Sequence, residues 1–152
     1  MKINISNLLT AIAIPLATGG LSAWLTRDGM NAFSSVRQPP LSPPMWIFPV
    51  VWILLYLLMG VASYLAAEAG ASTNAFILYA LQLFFNFFWS IWFFGLVWYL
   101  FAFLWLLVLW VLILATAVSF YRVSKPAGYL ILPYLLWVTF AAYLNLGVYL
   151  YQ

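Results

Sequence analysis

Asn74-Ala-Phe-Ile-Leu-Tyr-Ala-Leu-Gln82-Leu-Phe-Phe-Asn86-Phe-Phe-Trp89-Ser90-Ile-Trp-Phe-Phe-Gly95-Leu-Val-Trp-Tyr99 opens a run that continues to Tyr121 without a single Asp, Glu, Lys or Arg. Counted from 74 through 121 it is 48 residues long. One membrane-spanning helix needs about 20 predominantly apolar residues, so the run is too long for one span and right for two. The turn between them is expected near Gly95 to Tyr99.

Outward from this run, the remaining charges punctuate the chain. Between Ile3 and Gln152 they are Arg27, Asp28, Arg37, Glu68, Arg122 and Lys125. The stretches between them predict spans near 5–26, 44–67, 74–95, 98–121 and 127–150, with a polar loop over 27–43, in a single domain of 152 residues. At 68% hydrophobic, 21% aromatic and 5% charged, the chain has too little polar surface to coat a water-soluble globule. The segments are continuously apolar and do not alternate in strands of about 10 residues, which disfavours a barrel. An all-α integral membrane protein, a bundle of five transmembrane helices, is the expected fold.

Five spans put the termini on opposite sides. Lys2, Arg122 and Lys125 then share one side and Arg27 and Arg37 the other, a positive-inside bias for a cytoplasmic N terminus. Residues 2–23 also have the outline of a signal peptide, Lys2 before an apolar stretch ending in small residues. The stretch is, however, about as long as a span.

The chemistry that the chain can support is narrow. It has no cysteine and no histidine, which removes disulfides, thiolate chemistry and the common metal ligands. No acid or base falls at mid-membrane depth, so proton-coupled transport is disfavoured. No nucleophile with a base, paired carboxylates or metal cluster can be assembled for hydrolysis. Five bases without a cluster give no track for a phosphate backbone, and nucleic acid is not an expected partner. What remains is aromatic faces, amides, hydroxyls and backbone.

Those groups are arranged on helix faces. Gln82, Asn86, Trp89, Ser90 and Phe93 share one side of the third span. Two amides in lipid are costly unless satisfied, so this face should look into the bundle, as interhelical glue or as a ligand contact. Tyr134, Trp137, Ala141 and Asn145 share a face of the fifth span. Trp137 lies near mid-span, where an interfacial belt does not explain it. It is either a core indole bonded across helices or a wall for a flat ligand. The second span aligns Phe48, Trp52 and Tyr56, with Pro49 near its start. The first offers Gly19-Gly20 and Trp24. Ahead of the second span, Pro39-Pro-Leu-Ser-Pro43-Pro44-Met stiffens the polar connection, and together with Arg27 and Arg37 it suggests a lid.

In order and spacing these pieces resemble the translocator protein family, also called tryptophan-rich sensory proteins or peripheral-type benzodiazepine receptors. The resemblance covers nearly the whole chain. It rests on Gly19-Gly20, on Pro39 to Pro44 with Phe48-Pro-Val-Val-Trp52, Leu55-Tyr56 and Met59-Gly60, on Gln82-Leu83, Asn86, Trp89-Ser90 and Phe93-Phe94, and on Leu132-Pro-Tyr134, Trp137, Phe140-Ala141 and Leu144-Asn145. Because it includes the first span, it favours a span there over a signal peptide.

The resemblance implies a five-helix membrane protein, commonly a homodimer in contact with membrane lipid, that needs no cofactor and takes porphyrins such as protoporphyrin IX as ligand. In some members sterols and synthetic benzodiazepine or isoquinoline ligands bind as well. The expected ligand-binding set is Trp24, Phe48, Trp52, Tyr56, Gln82, Asn86, Trp89, Ser90, Trp137 and Ala141, under a lid that includes Arg27, Arg37, Pro39, Pro43 and Pro44. The arginines would pair with propionates. Sensing, sequestration and translocation of porphyrin are the implied functions. The alternatives are light-dependent porphyrin breakdown, with Trp52 and Trp137 as its oxidisable indoles, and lipid- or sterol-type binding without catalysis. Two departures bear on these expectations. Gln38 stands where the family often has lysine, and no base follows Lys125, so the sterol-recognition pattern of animal members is absent from Tyr143 to Gln152. A bacterial cell membrane is the expected location.

Overall fold

The computed structural model describes residues 2–152. It is all-helical among these residues: α1 (Ile5–Leu25), α2 (Arg27–Phe33), α3 (Ile47–Glu68), α4 (Thr73–Ser90, prolonged by a π-helical turn Ile91–Gly95), α5 (Tyr99–Val123) and α6 (Lys125–Leu150). Five of these segments are long and apolar enough to cross a membrane: α1, α3, α4 with its π turn, α5 and α6.

Local chemistry sets the ends. Asn4, Ser72 and Ser124 cap α1, α4 and α6, their side-chain oxygens accepting from the amides of Asn7, Ala75 and Ala127 at 3.1, 3.2 and 3.3 Å, and each satisfies one of the unpaired first-turn donors. α6 begins at Lys125, two residues before the sequence expectation. Pro126 falls in its first turn, where a missing N–H costs nothing. α3 closes with paired bonds from Gly70 N–H to Ala67 O and from Ala71 N–H to Ala66 O. This Schellman geometry needs a left-handed residue, and Gly70 takes it at φ +82°. α3 begins at Ile47, later than expected, because the segment Pro44–Phe48 first turns through bonds from Ile47 N–H to Pro44 O and Phe48 N–H to Met45 O.

One finding departs from the expected outline. The segment 27–43 is not all loop: α2 occupies Arg27–Phe33, with Asp28 in its first turn, where a carboxylate is favoured by the helix dipole. Phe33 anchors it, its ring 5.3 Å from those of both Phe93 and Phe94. The connection between α4 and α5 is only Leu96–Trp98, preceded by the π turn. Val97 sits there at φ +60°, and the Trp98 amide bonds back to Trp92 O at 2.9 Å.

Contacts between elements close the five spans into a ring in the order α1, α3, α6, α5, α4. The inward stripe of α5, Ala102, Leu106, Leu109, Ile113, Ala117 and Phe120, recurs every three or four residues and is buried, whereas Leu104, Leu107, Val111, Leu114 and Val118 face outward. That is the pattern of a helix with one face in protein and one in lipid. Small residues let backbones approach: a side chain at Gly60 would meet the backbone of Ala11 and Ile12, so α1 and α3 touch there directly.

Candidate ligand cavity

At the end of the ring nearest α2, the helices part around a cavity of about 290 Å³. α3 supplies Phe48, Pro49, Trp52 and Tyr56; α4 and its π turn supply Asn86, Trp89, Ser90, Phe93 and Phe94; α6 supplies Trp137, Ala141, Leu144, Asn145 and Val148. α1 adds Gly19, Ser22 and Ala23, and the connection above adds Met30, Asn31, Phe33, Gln38, Ser42 and Met45. α5 contributes nothing to the lining and serves as a backing for α4 and α6. No ionisable acid or base is in the wall, so the cavity is neutral.

The aromatic rings form a continuous lining. Trp52 stacks on Tyr56 at 5.6 Å with 27° between planes, and lies 6.5 Å from Trp89. Trp89 in turn stacks on Phe93 at 5.1 Å. Across the space, Trp137 lies flat on Phe140 at 5.7 Å and meets the Phe48 ring edge to face at 5.9 Å. Gly19 faces the Tyr56 ring, which occupies the room a side chain there would need.

Beneath the rings runs a chain of polar groups. Tyr56 OH donates to Asn86 Oδ1 at 2.8 Å, Asn86 Nδ2 donates to Tyr134 OH at 2.7 Å, and Tyr134 OH donates to Gln82 Oε1 at 2.7 Å. Gln82 Nε2 ends the chain on Met59 Sδ at 3.8 Å. A second bridge starts at Trp89 Nε1, which donates to Asn145 Oδ1 at 3.0 Å, while Asn145 Nδ2 donates to Tyr99 O at 2.8 Å. These bonds satisfy the amides that would otherwise be costly in the membrane interior. Trp137 is different. Its Nε1 is buried and has no hydrogen-bond partner among the described residues.

Eight of the ten residues singled out in the sequence meet at this cavity: Phe48, Trp52, Tyr56, Asn86, Trp89, Ser90, Trp137 and Ala141. Two do not. Gln82, 1% exposed, lies one turn below Asn86, in the chain of bonds and not in the wall. Trp24 is 59% exposed on the outer side of α1. The Arg27 guanidinium covers its ring at 4.8 Å and also donates to the Trp24 carbonyl at 2.6 Å. One residue along a helix is a turn of about 100°, which separates Ala23 in the wall from Trp24 outside it.

Neither lid arginine lines the cavity. Arg27 is held outside by Trp24, and Arg37 is exposed, its carbonyl accepting from Gln152 Nε2 at 2.9 Å. Pro39 is buried, Pro43 half-buried and Pro44 exposed. Of the parts of the lid that touch the cavity, Met30, Asn31, Phe33, Gln38, Ser42 and Met45, none was named as a binding residue, although Gln38 was noted as a departure from the family and Ser42 and Met45 fall in the proline-rich stretch. They carry no periodic signal. Leu144 and Val148 did carry one, since they continue the Trp137 and Ala141 face at helical offsets. No group of three or more metal-ligating side chains exists among the described residues.

The model of the TspO/MBR family matches residues 11–150. The chain is 36% identical over 153 residues to the tryptophan-rich protein TspO of Chlorobaculum tepidum, an alignment covering 97% of each chain. It is 36% identical over 137 residues to a tryptophan-rich sensory protein of Cereibacter sphaeroides, covering 90% of this chain and 84% of that one. It is also 38% identical over 138 residues to the translocator protein of Bos taurus, covering 87% and 82% respectively. With five helices able to span a membrane and a match across almost its whole length, this chain is an integral membrane protein that belongs to the TspO/MBR family.

Proposed function

We propose that the protein binds porphyrin-type tetrapyrroles such as protoporphyrin IX in the cavity, and by doing so senses, sequesters or translocates them. The observation that carries this reading is a neutral space walled by Trp52, Trp89 and Trp137 in which the Trp137 N–H is left without a partner. Ring faces offer apolar area for a flat macrocycle, worth about 25 cal/mol per Å² removed from water. The free indole N–H offers a donor to an acceptor on the ligand. Charged propionates have no place in a wall without bases, so they would project past the lid, where Arg37 is exposed.

Size sets a condition. A cavity of about 290 Å³ lies at the lower end of the roughly 300–1,000 Å³ of ligand pockets, so a macrocycle requires its walls to move apart or part of its edge to remain outside. The test is a protoporphyrin IX titration in the dark, following quenching of tryptophan emission, of the protein beside Asn86→Ala and Trp137→Phe. Saturable quenching that weakens in both variants supports the reading. Unsaturable quenching that is the same in all three refutes it.

The contact of Trp52 with Tyr56, Trp89 and Tyr134, all within 6.5 Å, favours a second reading on the same site. Oxidisable rings packed this closely would support oxidation of a light-excited porphyrin by dioxygen. That activity would need both light and oxygen and would be lost when Trp52→Phe is combined with Trp137→Phe.

A further inference from the structure

Trp137 borders two spaces. On one side is the cavity; on the other is a groove of about 430 Å³ between α3 and α6, bounded by Leu54, Leu58, Pro133 and Leu136 among others. Leu54 and Leu136 are 54% and 71% exposed on the outer face of the ring. They lie in the middle of segments long enough to span a membrane, so the groove opens at the depth of the hydrocarbon and not to water. Apart from the Trp137 indole, its lining side chains are all hydrocarbon.

Little beyond packing holds Trp137 between the two spaces. Its indole N–H is bonded to nothing, and its neighbours Phe48 and Phe140 touch it only through ring faces and edges. One turn earlier, Pro133 leaves the Tyr129 carbonyl without its helical donor, which makes α6 easier to deform beside the groove. The water-facing side is better fastened. Tyr143 OH donates to Pro40 O at 2.6 Å, Gln152 Nε2 donates to Arg37 O at 2.9 Å, and Ser42 Oγ donates to Pro39 O at 2.7 Å. The Pro39 ring sits where a side chain at residue 147 would be, a seat that only Gly147 provides.

We infer that the groove is a lateral vestibule through which an apolar, membrane-dissolved ligand reaches the cavity, with the Trp137 side chain as the movable wall. Swinging the indole toward the groove joins the two spaces into one, which answers the small size of the closed cavity. A flat hydrophobic molecule partitions into the bilayer before it meets the protein, so this route avoids returning it to water. The inference rests on the cavity being the ligand site.

The chain's lack of cysteine makes the test direct. Pro39→Cys with Gly147→Cys places two β-carbons side by side with the proline ring removed, and a small outward shift of the lid gives disulfide geometry. Oxidation then locks the lid without touching the groove. Leu54→Phe with Leu136→Phe fills the groove with residues that do not line the cavity. The protein in lipid nanodiscs is equilibrated with protoporphyrin IX in the dark, then mixed with excess protein-free vesicles, and recovery of tryptophan emission gives the exit rate. The oxidised lock is expected to leave that rate within about twofold of the reduced form. The filled groove should slow entry and exit together by about tenfold, equivalent to ~1.4 kcal/mol of added barrier, with unchanged equilibrium affinity.

A lock that stops exchange while the filled groove does not would overturn the vestibule in favour of the lid. Equal rates in all forms would overturn it too, leaving the groove as a surface covered by lipid chains. Absence of saturable binding in the unmodified protein would sink the cavity reading itself, and the vestibule with it.

Discussion

Met59 decides more of the cavity's chemistry than its own position suggests. A thioether sulfur accepts a hydrogen bond but cannot donate one, so the Gln82 amide must turn its NH2 toward Met59 and its oxygen toward Tyr134. Tyr134 then donates to Gln82 and accepts from Asn86, and Asn86 presents its oxygen to Tyr56. The direction of every bond under the cavity follows from that end group. Replacing Gln82 with Leu removes the acceptor for Tyr134 OH, and thermal unfolding in detergent should show a loss of about 1–3 kcal/mol. Combined with Tyr134→Phe the loss should be clearly less than the sum of the two, since both act on one chain of bonds. Additive losses would mean the chain is not a unit. Trp137 calls for the opposite expectation. Trp137→Phe deletes a buried unpaired donor, so the empty protein should change in stability by less than about 1 kcal/mol, while porphyrin affinity falls by about tenfold. A large stability loss would mean that packing of the larger indole ring on Phe48 and Phe140 holds this wall rigidly in place.

At the scale of elements, the spans were legible because charge and polar residues punctuate them, and apolar length is what a bilayer reads. The inward faces of α3, α4 and α6 were legible from helical offsets. Depth along a face was not: Gln82 and Asn86 share a side, but one turn decides which supports and which lines. Trp24 shows a related limit, since its small neighbours Ser22 and Ala23 border the cavity while the indole, one residue on, points out to Arg27. α2 was not legible because seven residues give two turns and no apolar repeat; Phe33 and the close approach of Gly29 to the Phe94 backbone tie it down. The lid connection holds to α6 through Gly147. Gly147→Val would push β-branched carbons into the Pro39 ring, and overpacking of this kind costs about 1–3 kcal/mol unless the neighbour moves. The lid is the element able to move, so the expected result is faster tryptic cleavage after Arg37 with little change in the cleavage of the rest of the chain. Unchanged cleavage would mean that the lid is held elsewhere.

The whole molecule is a ring in which four spans and the lid line a cavity and α5 stands behind it. That closure, first span to second to fifth to fourth to third, could not be read from the chain order, because helix neighbours in a membrane are chosen by side-chain fit at contacts such as Gly60 against Ala11 and Ile12. The resulting site is neutral, aromatic and partly closed, and its wall includes the Trp137 indole, whose N–H has no partner among the described residues. The central claim is that this space, and not the lipid-facing surface, takes the tetrapyrrole. Ala141 offers the most direct test, because its side chain lies in the wall between α6 and the cavity. Ala141→Trp would fill the space from within. Protoporphyrin IX should bind the unmodified protein saturably in the dark, whereas the variant, with its unfolding temperature within a few degrees of the parent, should show no saturable binding. Equal, saturable binding by both proteins would place the ligand outside the cavity and contradict the account.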